Sequence, residues 1–532
     1  MPVQRADLWP PVLTYDDDLL FFRTTAVLRL LAMMRYELLG SSVLDWFSAT
    51  NVLLFVVVFA LCFDFIKHRK PKNFPPGPPW SLPFVGDFLR INFTRMHLDL
   101  YEFAKKYGNI FSMNIFGPRA VFLNGTKMLK EAFVQNGENF ADRPHFPIFE
   151  DAIGDNGVVA SNGYAWKQQR RFALYTLKNF GLGKKSLEPS IQQECRCLNE
   201  AVGQERGKPF DPHWLVNNAV SNVICALVFG DRFEYSNAEF QSLLRLLNET
   251  VYLEASISVQ IYNLVPWLMR HVPGPHLQVL TNWNKVVEFI RKKVEEHRED
   301  YDPSTARDYI DCFLAEMEKD DPAAGFNIKN LCVCTMDLFV AGTETTSSTL
   351  YWGLLYMINF PEIQKQVQEE IDRVVGSSRQ PTVEDREKMP YTNAVIHETQ
   401  RFGNIIPINV PRLSTKDTHV GGYIIPKGTM VFGSLTSVLF DETEWETPHS
   451  FNPAHFLDAD GKFRRREAFL PFSIGKRVCL GEQLARMELF LFFTSLLQRF
   501  SFSPPEGEEP SLEFRLGATL CPKPYKLCAV PR

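Results

Sequence analysis

Residues 471–486 read PFSIGKRVCLGEQLAR. The thiol of Cys479 stands between Gly475 and Gly481, with Arg477 two positions before it. Behind it Leu480, Leu484, Met487 and Leu491 fall on one helical face. A thiol at a helix N-terminus meets the positive end of the peptide dipoles, which favours the thiolate. Gly475 and Gly481 have access to backbone geometries closed to other residues, and lacking side chains they let a flat partner approach. Phe472 is placed to cover such a partner and Arg477 to pair with an anionic substituent on it. A thiolate, a planar neighbour and a nearby anion describe a haem held through sulfur. A buried structural cysteine in a glycine-containing turn fits the spacing equally well.

The surrounding chain narrows the choice. It has 532 residues, 45% hydrophobic and 22% charged, which allows a large core and excludes a mainly disordered or fibrous protein. A formal net charge of -5 argues against a general nucleic-acid binder. The ten cysteines are scattered, with no CxxC pair and no zinc-type spacing. They read as reduced thiols of a cytosol-facing protein. Residues 46–66, WFSATNVLLFVVVFALCFDFI, form an apolar run about long enough to cross a bilayer as a helix. Lys67, His68, Arg69 and Lys70 follow at once, so this flank is expected to face the cytoplasm, as a retained signal-anchor does. Residues 1–45 are a leader whose role the sequence leaves open. Residues 67–86 combine the basic stop with a hinge carrying six prolines between positions 71 and 83, which excludes helix and central strand. From 87 to 532 the pattern predicts one mainly α domain with small β-sheets, with helical periodicity over 284–300, 327–352, 361–375 and 480–498.

Three further stretches ask for chemistry. In VIHETQRF (395–402), Glu398 and Arg401 share a helix face. In DLFVAGTETTSS (337–348), Ala341, Glu344 and Thr345 recur at three- and four-residue spacing inside an apolar helix. A threonine back-bonded to the carbonyl four residues earlier, with Glu344 reaching solvent, is one reading of that pattern. An acid–alcohol pair lining a site is the other. In YAWKQQRRF (164–172), Trp166 and Arg170 stand one turn apart, offering an indole N–H and a guanidinium to one anion.

FSIGKRVCLG (472–481) fills every fixed position of Phe-x-x-Gly-x-Arg-x-Cys-x-Gly and resembles the haem-binding loop of the cytochromes P450. The other stretches resemble that family's parts in order, and the resemblance runs from the hinge to the C-terminal LCAVPR. It is closest to the microsomal family-2 enzymes, among them the vertebrate arachidonic-acid epoxygenases. The resemblance implies the cytochrome P450 fold behind a transmembrane signal-anchor. It makes Cys479 the axial ligand of haem b iron, with Arg477, Trp166, Arg170, Arg143 and Arg412 around the propionates and Phe472, Gly475 and Gly481 in the loop. Glu398 and Arg401, with His455 in FNPAHF (451–456) where an arginine is more usual, become a buried network that fixes that loop. Thr345 hydrogen-bonds dioxygen and Glu344 helps relay protons. Val340, Ala341, Ile405, Ile406 and Leu520 are the implied pocket candidates.

The implied activity is monooxygenation of apolar substrates, polyunsaturated fatty acids foremost and xenobiotics besides, at the endoplasmic reticulum membrane with the catalytic body in the cytoplasm. No dinucleotide fingerprint or flavin domain is visible in the sequence, so electrons are expected from NADPH through NADPH–cytochrome P-450 reductase, with cytochrome b5 as a second donor. Lys167, Arg171, Lys462, Arg464, Arg465, Arg466 and Lys476 flank the haem-binding stretches as a docking face for an acidic partner. A reductase-independent haem-thiolate isomerase and a non-enzymatic haem-binding sensor are the rival readings.

Overall fold

The computed structural model describes residues 49–67, 69–115, 119–180, 187–319 and 321–532. The leader expected over 1–45 lies outside them, as do the first three residues of the expected span. Helix α1, Ala49–Lys67, carries an 18-residue window of mean hydropathy 2.3, none of it buried against the rest of the protein. At 1.5 Å per residue it is about 28 Å long, close to the thickness of a bilayer's hydrocarbon core. Phe55, Phe59 and Phe63 stack along one side of it, with centroids 6.2 and 6.4 Å apart. By length and composition this helix suffices to cross a membrane.

The proline segment after α1 docks onto the body instead of spanning free space. Phe74 is buried, and in strand β1 (Ile110–Asn114) Ser112 donates from its N–H to the Pro76 carbonyl at 2.6 Å and from Oγ to the Pro75 carbonyl at 2.9 Å. A Cβ on Gly77 would collide with the Ser112 carbonyl, so only glycine lets the two backbones meet. Strand β1 pairs antiparallel with β2 (Arg119–Leu123), and β2 pairs parallel with the later strand Met430–Gly433, which pairs antiparallel with Arg412–Leu413. The remaining sheets are two-stranded.

The rest is helical, as the periodicity predicts, with shifted boundaries. The principal helices are α2 (Gly163–Asn179), α3 (Glu188–Gln204), α4 (His213–Val228), α5 (Pro275–Glu299), α6 (Ile328–Asn359), α7 (Pro361–Val374), α8 (Pro390–Gly403) and α9 (Glu482–Arg499). Helix α5 begins nine residues before its periodic stretch because Pro275 suits a first helical turn. Helix α6 runs to Asn359 and stops where Phe360 precedes Pro361, a position that disfavours helical backbone.

Helix α6, 32 residues long, is the axis of the core, packed against α4, α5, α8 and α9. Two of its buried hydroxyls bond back within the helix: Ser347 donates to the Thr343 carbonyl at 2.7 Å and Thr349 to the Thr345 carbonyl at 2.8 Å. The amphipathic pattern expected after Cys479 holds only for the first turn of α9. From Met487 to Leu497 the helix is buried on every side, because α3, α6, α7 and α8 surround it.

Candidate functional site

Cys479 closes a loop held by short-range bonds. Its N–H donates to the Phe472 carbonyl at 3.0 Å, and Gly475–Arg477 form a tight 3-10 turn. Gly475 has φ +80°, and a Cβ there would run into the Phe133 carbonyl. Its lack of a side chain therefore serves the loop's seat on the neighbouring backbone, a different use from the ring approach expected of it. Gly481 has an ordinary φ of -89°, lines the cavity, and has nothing within 4 Å of where a Cβ would stand. Its missing side chain leaves open space beside the thiol. Gly475→Ala should lower both the thermal midpoint and the haem bound per protein, since the left-handed backbone and the blocked approach add. Gly481→Ala should leave the midpoint nearly unchanged.

The Cys479 thiol opens on a cavity of about 290 Å³ that Thr345, Ala341 and Gly342 of α6 also line. It is open to this cavity yet surrounded by protein, and burial pushes its pKa up while the Gly481 N–H works against that. The expected dipole effect on the free thiol is thus outweighed by desolvation. A coordinated metal ion deprotonates such a thiol outright.

Arg143, Arg170 and Arg477 line the same cavity, and Arg412 stands close to them outside the lining. Arg477 donates to the carbonyls of Ala141 (2.6 Å), Ser161 (2.6 Å) and Val159 (3.2 Å), and its guanidinium lies 3.7 Å from the centroid of the Trp166 ring. Arg143 donates to the Val410 and Pro411 carbonyls, both at 2.8 Å, and Arg170 to the Val478 carbonyl at 2.5 Å. Arg412 reaches the Ile474 carbonyl at 3.2 Å and covers Phe133. Burial holds Arg477 and Arg412 down to about 9, and Arg143 well below its ordinary value, with neighbouring arginines adding to it. None of the four is ion-paired to a carboxylate among the described residues. The buried Trp166 Nε1–H and Arg412 Nε–H have no acceptor among the described residues. Mutually repelling cations and orphaned donors beside a thiol fit a flat ligand with two carboxylates, which is what haem b is. Trp166, Arg170, Arg143, Arg412 and Arg477 would hold the propionates, Phe472 and Gly481 would flank the ring, and Cys479 would hold the iron.

On α6 the geometry divides the expected acid–alcohol pair. Thr345 lines the cavity and donates from Oγ1 to the Ala341 carbonyl at 2.8 Å. Glu344 lies outside the lining, half-buried and turned towards the C-terminal strands. Its Oε1 accepts from Thr519 Oγ1 at 2.6 Å and Ser348 Oγ at 3.2 Å, and burial raises its pKa. Of the pocket candidates, Ala341, Ile405 and Ile406 line this cavity. Val340 packs into the core, and Leu520 lines a smaller cavity beside His97 and Phe402, its N–H donating to the Ile405 carbonyl at 2.8 Å. The lining also includes Asp337, missed in the sequence reading although it stands four residues before Ala341 and eight before Thr345. Its Oδ2 accepts the N–H groups of Val158 and Val159 at 2.7 and 2.9 Å, and burial pushes its pKa up to about 6. Asp337 thus ties α6 to the loop whose carbonyls receive Arg477.

The structure also assembles Glu398, Arg401 and His455. Arg401 is fully buried, meets both Glu398 oxygens at 2.7 and 2.8 Å, and donates to the carbonyls of Leu439 and Pro448 at 2.8 Å and Ser450 at 3.0 Å. His455 Nε2 accepts from the Thr447 N–H at 3.2 Å, so Nδ1 carries the proton and donates to Glu398 at 3.2 Å. The Asn452 N–H adds a further bond to Glu398 at 2.8 Å.

Comparison with known proteins agrees with this geometry. Residues 75–529 match the family model described as Cytochrome P450. The chain is 54% identical to cytochrome P450 2J2 of Homo sapiens over 484 residues, which cover 91% of this chain and 96% of the relative. It is 52% identical to cytochrome P450 2J1 of Oryctolagus cuniculus over 484 residues (91% and 96%) and 43% identical to cytochrome P450 2C23 of Rattus norvegicus over 501 (93% and 100%). A thiol and a ring of unpaired arginines around one cavity, in a chain matched over nearly its whole folded length, place it in the cytochrome P450 family, among the haem-thiolate monooxygenases that draw electrons from a separate redox partner.

Proposed function

We propose that this monooxygenase epoxidises and hydroxylates polyunsaturated fatty acids, and oxidises apolar xenobiotics, at the endoplasmic reticulum membrane. The observation that carries the reading is one cavity in which Cys479, the arginine group, Thr345 and apolar walls such as Leu177, Ile224, Leu338 and Ile406 meet. The 52–54% identity to the 2J enzymes supports the oxygenase over a reductase-independent isomerase or a sensor.

When bound, haem supplies the activation of dioxygen, with cysteine sulfur donating electron density to the iron. The chain's own residues do the rest. The arginines and Trp166 orient the group through its carboxylates. The apolar walls hold a hydrophobic chain and exclude water. Thr345 holds a hydroxyl proton at Oγ1 on the cavity wall. Glu344, whose pKa burial raises, stands behind Thr345 and is joined by hydrogen bonds to Ser348 and Thr519, from where it would help relay protons.

NADPH–cytochrome P-450 reductase is the proposed electron donor and cytochrome b5 an auxiliary one. Arg171, Lys462 and Arg465 have no ion-pair partner among the described residues and are free to meet an acidic surface. Lys167 and Lys476 share Glu138, and Arg464 and Arg466 share Glu446. Arg69 and Lys70 after α1 support a single pass with the body in the cytoplasm. The test is incubation of the purified protein with reductase, NADPH and a polyunsaturated fatty acid. Epoxides and hydroxy acids that require NADPH are expected. Products from a fatty-acid hydroperoxide without reductase would favour the isomerase, and none from a panel of apolar substrates would favour the sensor.

A further inference from the structure

Two acids line the main cavity, and they are bonded differently. Asp337 is occupied by the Val158 and Val159 N–H groups. Glu488, on α9 beyond Cys479, is 0% exposed and among the described residues accepts one hydrogen bond, from Thr346 Oγ1 to Oε2 at 3.1 Å, leaving Oε1 without a partner. Thr346, 2% exposed, is the residue after Thr345. Successive helical residues point about 100° apart, so Thr345 presents its hydroxyl to the cavity while Thr346 reaches across to α9.

We propose that Glu488 is a positioning residue: with Thr346 it forms a strut that locks the helix bearing Thr345 to the helix that begins at Cys479, and so fixes where the Thr345 hydroxyl stands over the thiol side of the cavity. The proposal rests on the monooxygenase reading of that cavity. The strut is a neutral one. No cation is ion-paired to Glu488 among the described residues, burial drives its pKa well above the ordinary carboxylate value, and only the Thr346 hydroxyl opposes that shift. From α3, Cys195 faces it and is itself kept protonated by burial. In such dry surroundings a bond between neutral groups is firm, and losing its acceptor leaves a buried hydroxyl unsatisfied. Helices α6 and α9 touch along this contact. A change here is therefore felt as a shift of Thr345 relative to Cys479.

The test compares Glu488→Leu, Glu488→Gln, Thr346→Val and the Glu488→Leu/Thr346→Val double variant as holoproteins matched for thiolate-haem content by the spectrum of the reduced, carbon-monoxide-bound form. The readout is hydrogen peroxide released per NADPH oxidised in the presence of reductase. Glu488→Leu and Thr346→Val should each raise that fraction about threefold or more, and the double variant should be no worse than either single, because one interaction is lost. Glu488→Gln, which keeps a neutral acceptor for Thr346, should restore most of the coupling. In infrared difference spectra of the holoproteins, Glu488→Gln should remove a carboxylic-acid carbonyl band. Unchanged peroxide in Glu488→Leu, additive losses, or a glutamine variant as poor as leucine would each overturn the strut. Where Glu488→Leu yields no holoprotein, Thr346→Val against Glu488→Gln decides on the same terms. Absence of the thiolate spectrum from the unsubstituted protein would instead overturn the reading of the cavity.

Discussion

Cys479→Ala is expected to abolish the red-shifted Soret band of the reduced, carbon-monoxide-bound protein and with it all NADPH-dependent oxygenation, while the fold survives. The effect is total because none of the other nine cysteines lines the cavity, so none can substitute. The fold should survive because Cys479 contributes a backbone bond to Phe472, which alanine retains, and because its side chain faces the cavity rather than the core. Cys479→Ser separates ligation from size: it keeps the volume but offers a hydroxyl that does not ionise in the neutral range. Both variants should therefore lose the thiolate spectrum with little change in far-ultraviolet circular dichroism. A retained red-shifted band in either would remove Cys479 from the iron.

The motif around Cys479 was legible because its constraints are local. The turn, the position before a helix and the proximity of Arg477 are set within ten residues, and nearby spacing also gave the Glu398–Arg401 pair. What sequence could not supply was direction across the fold. Glu344 and Thr345 both fall one turn after Ala341, yet Thr519, 175 positions away, draws the Glu344 carboxylate off the cavity. Gly475 looked like a space for a ring, but the Phe133 carbonyl, which comes from another part of the chain, is what requires it. Leu520 is led to a separate small cavity by its bond to Ile405. Asp337 and Glu488 carried one usable signal, an acid set within an apolar helical run, where burial demands a partner. Neither partner, the Val158–Val159 backbone or Thr346, could be named without the tertiary arrangement.

Arg401→Leu is expected to be the most destabilising substitution at a site that touches no substrate. Removing the guanidinium leaves Glu398 buried and uncompensated, which costs about 3–5 kcal/mol where one partner of a buried pair is lost. Three carbonyls, of Leu439, Pro448 and Ser450, lose their donors as well. His455 has little left to offer, since its Nδ1 already bonds Glu398 and its Nε2 is engaged by Thr447. With histidine at 455, Arg401 is the one permanently charged cation against Glu398, and removing it removes the larger part of the balance.

The pH dependence gives the sharper check. In the intact protein burial opposes the Glu398 charge, but Arg401 and the hydrogen bonds of Arg401 and His455 prevail and hold its pKa below the ordinary 4.5. Its folded value is thus lower than its unfolded one. The stabilisation is fully present above about 4.5 and is lost as pH falls through the folded value. Without Arg401, burial dominates and the folded value rises above the unfolded one. The variant then gains on acidification what the intact protein gives up. The difference in thermal midpoint between intact protein and Arg401→Leu should be wide at neutral pH and should narrow as the pH is lowered towards about 4. A difference that stays constant across that range would show that the carbonyl bonds, and not the buried charge pair, hold the cysteine loop's foundation in place.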